Sequence, residues 1–161
     1  MILILMLVGY LSYPTPPKHE MTLLPEARFL VGKSKSATFA DYKGTLTLVH
    51  FWATWCPPCL VEMPELVALA KAHPDIKILA FSLDKTATTM KRYYSTNFKN
   101  LPENFITIWD KNGAMAKNEF YSFNYPETYI IGCEGTIDEK VIGSASNWKR
   151  TLKPHLKACV K

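Results

Sequence analysis

A chain of 161 residues, 48% hydrophobic and 20% charged, has the composition of one globular domain with a real core. Its formal charge of +5 comes from 19 Lys and Arg against 14 Asp and Glu. The basic residues are scattered, with Lys91-Arg92 and Lys149-Arg150 the adjacent pairs, so there is no nucleic-acid stripe.

The first eleven residues, Met1 to Leu11, are apolar throughout. The run is too short for an ordinary membrane span of ~20 residues. It has the length of a signal-peptide core, but no Lys or Arg precedes it and no small-x-small cleavage site follows. Ser12 to Pro17 reads as a stiff, extended, Pro-rich spacer. No cysteine near position 20 offers a lipid attachment point. The expectation is a hydrophobic signal or anchor with its spacer over 1–17, and one domain over 18–161. The alternative is an apolar N-terminal strand or helix packed on that domain.

Ala27 to Phe39 has room for two short strands around Gly32-Lys33, and Asp41 to Gly44 reads as a turn. Leu46 to Trp52 is apolar on both alternating sets, as expected of a central strand covered on both faces. Pro57 to about Ala72 reads as a helix, with Leu60, Met63, Leu66, Val67 and Ala70 at helical spacing and Pro64 inside it. Ile76 to Ser82 is a second buried strand, and Thr86 to Asn97 a helix. Phe105 to Trp109 is a short strand, Asp110 to Gly113 a turn, and Met115 to Tyr121 a short helix. Thr128–Ile131 and Ile137–Ile142 form a hairpin around Glu134-Gly135. Asn147 caps a last helix that ends near Cys159. This order predicts an α/β fold with a mixed sheet, the first two long strands parallel and adjacent.

Trp55-Cys56-Pro57-Pro58-Cys59 stands at the junction of the first long strand and the first helix. A C-x-x-C there is the signature of a thiol–disulfide redox site. Unpaired amides and the helix dipole at a helix start favour a thiolate, and the thiolate is the species that attacks disulfides. A zinc site would need two more ligands at comparable spacing, and the other cysteines, Cys133 and Cys159, have no C-x-x-C or C-x-x-H partner.

Phe51-Trp-Ala-Thr-Trp-Cys-Pro-Pro-Cys59, then Glu62-Met-Pro-Glu-Leu66, then Tyr125-Pro-Glu-Thr-Tyr-Ile-Ile131 occur in that order. With these segments the chain resembles the thioredoxin superfamily, and more narrowly its TlpA/ResA/DsbE-like exported thiol–disulfide oxidoreductases, over about Phe29 to Lys157. The resemblance implies a thioredoxin fold with a central insertion, an extracytoplasmic, periplasm-like site, and reduction of protein disulfides. Several members serve cytochrome c maturation, which makes apocytochrome c a candidate substrate. It also implies a membrane electron donor of the thiol-relay type, membrane association through the N-terminal segment, and no cofactor or metal beyond the Cys56–Cys59 dithiol. Copper-carrying Sco-like proteins space their cysteines three residues apart. Peroxiredoxins carry P-x-x-x-T-x-x-C, whereas here Thr54 stands two residues before Cys56 and the Pro is missing.

In this reading Cys56, at the exposed helix start, attacks, and Cys59, one turn in, resolves the mixed disulfide. Pro57 and Pro58 lack an N–H, so the Cys56 thiolate loses two backbone donors. That argues against a strong oxidant. Glu62, on the Cys59 face, matches a Glu that affects thiol protonation in ResA-like proteins. As a buried carboxylate it would exchange protons, and otherwise it is a first-turn Glu favouring the dipole. His50 stands six residues before Cys56, where thioredoxins carry a buried Asp. It is a base for Cys59 or a core histidine satisfied by a carbonyl. By resemblance Pro126 is cis and faces the cysteines, with Tyr125 offering its backbone to an extended substrate. Trp55 walls the site, while Trp52 packs in the core.

Ile137–Ile142 runs ~20 Å back towards the active-site end at ~3.3 Å per residue. The last helix returns ~19 Å at ~1.5 Å per residue. Cys159 should therefore arrive near Cys133, as a second, structural disulfide or as two free thiols. Two other functions stay open: a disulfide oxidase or isomerase on the same fold, and a copper carrier using Cys56, Cys59 and His50 or Met63.

Overall fold

The computed structural model describes residues 24–32, 34–145 and 147–159. The expected anchor and spacer, 1–17, and Lys33 of the first turn lie outside the described residues. The chain runs β1 (Phe29–Val31), β2 (Lys35–Ala37), β3 (Thr47–Trp52), α1 (Pro57–Ala72), β4 (Lys77–Ser82), α2 (Ala87–Asn97), β5 (Phe105–Trp109), β6 (Glu127–Ile131), β7 (Ile137–Ile142) and α3 (Trp148–Cys159).

Five strands form one mixed sheet in the order β5-β4-β3-β6-β7, and β1 and β2 pair separately. β3 is parallel to β4, and β4 to β5, while β6 is antiparallel to both β3 and β7. All six residues of β3 are buried. Leu48 and Trp52 face a core shared with α1, α2 and α3, which also holds Cys59, Met63, Leu66, Met90 and Leu152. Val49 and Phe51 face the opposite core, where Phe51 meets Phe81 at 5.4 Å, Phe120 at 5.2 Å and Tyr129 at 6.1 Å. Each of these side chains, fully buried, is worth ~1.5–3 kcal/mol of transfer free energy. Two covered faces make β3 the fixed axis of the domain.

α1 begins at Cys56 as its N-cap, with Pro57 and Pro58 in the first two positions. A missing N–H costs nothing there, because those amides have no intrahelical partner. The helix continues through Pro64 and ends at His73, whose N–H donates to the Leu69 carbonyl at 3.0 Å. Thr86 caps α2 by accepting from the Thr89 N–H at 3.1 Å. Asn147 caps α3 by accepting from the Arg150 N–H at 3.0 Å.

The short helix expected over Met115–Tyr121 is a π-turn over Met115–Glu119. The Asp110 carboxylate accepts from the Met115 and Ala116 N–H groups, both at 2.9 Å. The Phe120 N–H reaches back five residues to the Met115 carbonyl at 3.1 Å, and Tyr121 turns left-handed with φ 48°. The wider turn seats Phe120, 1% exposed, in the aromatic core.

Asn104 joins the end of α1 to the start of β4. Its buried side-chain amide lies 2.9 Å from the Ala70 and His73 carbonyls and 3.0 Å from that of Ile76. Asn104→Ala strands those acceptors. The expected loss is ~1–3 kcal/mol, read as a lower urea midpoint of the oxidised protein. An unchanged midpoint would contradict this account of the α1–β4 corner.

Candidate active site

β3 delivers the chain to the helix start, and a buried carboxylate holds the loop between them. Asp84, 2% exposed, accepts from the Thr54 N–H at 3.1 Å and the Thr54 hydroxyl at 2.6 Å. Its second oxygen accepts from the Ser82 hydroxyl at 2.7 Å. The Trp109 indole N–H donates to the Asp84 carbonyl at 2.8 Å. Sequence reasoning missed this clamp; the signal was an Asp set just after a buried strand.

Cys56 and Cys59 are bonded, with their Cα atoms 5.3 Å apart. Cys59 is wholly buried, and Cys56 keeps 5% of its surface. The helix start is thus less open than the sequence reading expects. Cys56 borders a shallow groove of about 470 Å³, walled by Trp55, Pro57, Phe123 and Tyr125. Trp55 is exposed and meets the Tyr125 ring edge-on at 6.2 Å. Phe123 and Ile142, exposed apolar residues on the groove, were not singled out from sequence. The Tyr125–Pro126 bond is cis. Trp52 lies in the core, against Tyr93 at 5.0 Å and Tyr94 at 5.2 Å.

His50 is buried on β3, opposite Thr128 of β6. Its Nδ1 pairs with the Thr128 hydroxyl at 2.9 Å, not with a backbone carbonyl. Its Nε2 has no partner among the described residues. Burial pulls the imidazole down to about 3, so the ring is neutral.

Glu62, one turn past Cys59, is 1% exposed. Its Oε1 accepts from the Ala145 N–H and from the Trp148 indole N–H, both at 3.1 Å. Its Oε2 has no partner among the described residues. Burial pushes the carboxyl up to about 7, against the opposing pull of those two donors, and Glu65 adds to the rise. Trp148 gave no sequence signal, since it meets Glu62 only through the packing of α3.

Cys133 and Cys159 are bonded, with Cα atoms 5.5 Å apart, inside the ~7 Å reach of a disulfide. Met63 turns its sulfur to the Tyr94 hydroxyl at 3.7 Å. Among the described residues no three His, Cys, Asp or Glu side chains gather as a metal site, and no helix is long and apolar enough to cross a membrane.

Residues 22–140 match the AhpC/TSA family model. The chain belongs to the AhpC/TSA family. Within it, the chain is a TlpA-like thiol–disulfide oxidoreductase. It is 30% identical to the thioredoxin-like protein YneN of Bacillus subtilis over 89% of this chain and 88% of that one. It is 32% identical to the thiol:disulfide interchange protein DsbE of Vibrio cholerae over 86% of this chain and 77% of that one. The match to DsbE of Pseudomonas aeruginosa, also 32% identical, covers 75% of this chain and 65% of the relative. In fold it is similar to a putative thioredoxin of Neisseria meningitidis, with TM-score 0.72 and 24% identity over 85% of this chain and 89% of that one.

Glu62 gives the oxidised protein a pH signature. Its folded value, about 7, lies above the ordinary 4.5. The stability it contributes is therefore full below about 4.5 and is lost as pH rises through about 7. The whole change is at most ~3 kcal/mol. His50 works the other way, losing stability as pH falls from 6.5 towards about 3. Between pH 5 and pH 8 the Glu62 loss and the His50 gain oppose each other, so the wild-type urea midpoint should change little, whereas in Glu62→Gln it should rise with pH. Equal slopes in the two proteins would contradict the buried, protonatable carboxyl.

Proposed function

We propose that this chain is an extracytoplasmic reductase of protein disulfides, held at the membrane by the apolar run Met1–Leu11 ahead of its Pro-rich spacer. One observation carries the direction of attack: Cys56 borders the groove while Cys59 is wholly buried. A substrate sulfur can reach the first and not the second.

In the dithiol form the Cys56 thiolate attacks one sulfur of the substrate disulfide. A mixed disulfide forms and the other substrate sulfur leaves as a thiolate. Cys59 then loses its proton and attacks the Cys56 sulfur. The second substrate thiolate is released and the Cys56–Cys59 bond closes. Two electrons pass to the substrate, and the oxidised form is the one described above. A membrane dithiol donor returns it to the reduced state by the same exchange. Glu62 is the proton acceptor for Cys59, because a carboxyl near 7 takes up and gives back a proton at neutral pH. His50 is neutral and one of its ring nitrogens has no partner among the described residues, which suits a proton relay.

The groove suits an extended polypeptide with an apolar residue beside its cysteine. Trp55, Phe123 and Ile142 supply the apolar contacts, and the Tyr125 backbone, ahead of the cis Pro126, the rail. Apocytochrome c, with its paired haem-binding cysteines, is a candidate of that class. The relatives named thiol:disulfide interchange protein support the thiol–disulfide exchange in this reading.

Cys56→Ser should abolish reduction of a protein disulfide. Cys59→Ala should accumulate a mixed disulfide, visible as a reducible adduct on a gel. Normal turnover by the Cys59 variant would overturn the assignment of the resolving thiol.

A further inference from the structure

The active-site helix and the distal disulfide are joined by one element. α3 lays a single stripe on the core: Trp148 and Leu152 are buried, and Leu156 and Cys159 pack on the same cluster. Spacings of four, four and three residues put them on one helix face. At its start, the Trp148 indole N–H donates to Glu62. At its end, Cys159 is bonded to Cys133 beyond β6. Eleven residues separate the two points, or ~16 Å along the axis. The end of α3 has a second hold, since His155 lies between the carboxylates of Asp138 at 3.3 Å and Glu139 at 3.0 Å on β7.

The hydrogen bonds of Glu62 come from this arrangement and not from its own helix. Both of its donors, the Ala145 N–H and the Trp148 indole, belong to α3 and the segment leading into it. That segment and Trp148 also cover the carboxyl from water. We infer that Trp148 is a positioning residue for the Glu62 carboxylate, and that the Cys133–Cys159 bridge, acting through α3, keeps Trp148 seated on it. The consequence for catalysis rests on the proposed part of Glu62 in releasing the substrate; the seating itself does not.

The surroundings decide the sign of each effect. Glu65 and Cys59 are the titratable neighbours of Glu62 on α1, and the Cys59 thiol is absent in the oxidised protein. α3 brings Lys149 and Arg150, both exposed, beside Trp148. The connecting residues Gly143, Ser144 and Ala145 carry no charge. Phe in place of Trp148 keeps most of the cover and removes a donor that favours the carboxylate. Loss of the bridge instead loosens the cover, and burial is the largest cause of the shift.

The test is the carbon NMR titration of the Glu62 carboxyl in the oxidised full chain, assigned with Glu62→Gln. Because no turnover is involved, its outcome is separate from that of the reductase reading. Trp148→Phe should raise the titration midpoint. The double variant Cys133→Ala/Cys159→Ala should lower it towards that of an ordinary glutamate. A purely structural α3 would lower the melting temperature of both variants and leave the midpoint where it was, and that result overturns the inference. Should Trp148→Phe not fold, the bridge-less protein reads the same titration and decides alone.

Discussion

β3 is covered on both faces along its whole length, and this constraint fixes where the next helix can begin. Leu48 and Trp52 lock one side and Val49 and Phe51 the other, so the strand can neither slide nor roll without exposing a large side chain. Asp84 then pins the short loop after it. The two prolines that follow are harmless at the helix start and would be costly further in. Cys56 is thus held at the mouth of a groove, and Cys59, one turn on, is carried into the core. The asymmetry between the two thiols is a result of strand burial as much as of cysteine chemistry.

Two titratable groups are buried on the same side of the sheet, and burial moves them apart in effect. The imidazole of His50 is held neutral, and the carboxyl of Glu62 is brought to about 7. Neither is fully satisfied: one nitrogen and one oxygen lack partners among the described residues. Unmet hydrogen-bonding capacity in a core costs ~1–3 kcal/mol per group.

The sheet was legible because its strands alternate or run apolar in ways that helices do not, and because right-handed crossovers leave few topologies. The C-x-x-C was legible because its spacing and its place after a buried strand carry chemistry by themselves. The approach of Cys159 to Cys133 followed from element lengths. The partners of Glu62 and His50 were not legible. Trp148 lies 86 residues from Glu62, and Thr128 lies 78 residues from His50, so only tertiary packing joins them. The π-turn at Met115–Glu119 was read as an ordinary helix, because Asp110 sets its width from outside the periodic segment. The groove residues Phe123 and Ile142 sit in or beside loops, where no periodicity marks an exposed apolar side chain.

The central claim is that the Cys56–Cys59 pair works as a reductant. Its physical basis is the absence of N–H groups at Pro57 and Pro58, which leaves the Cys56 thiolate with fewer donors and its reduced form less stabilised. The most direct test is the midpoint potential of the pair, measured by equilibration with a dithiol buffer. The account predicts a value nearer about −270 mV, as in thioredoxin, than about −120 mV, as in a strong oxidant. A potential at or above about −180 mV, the range of a disulfide isomerase, would contradict it.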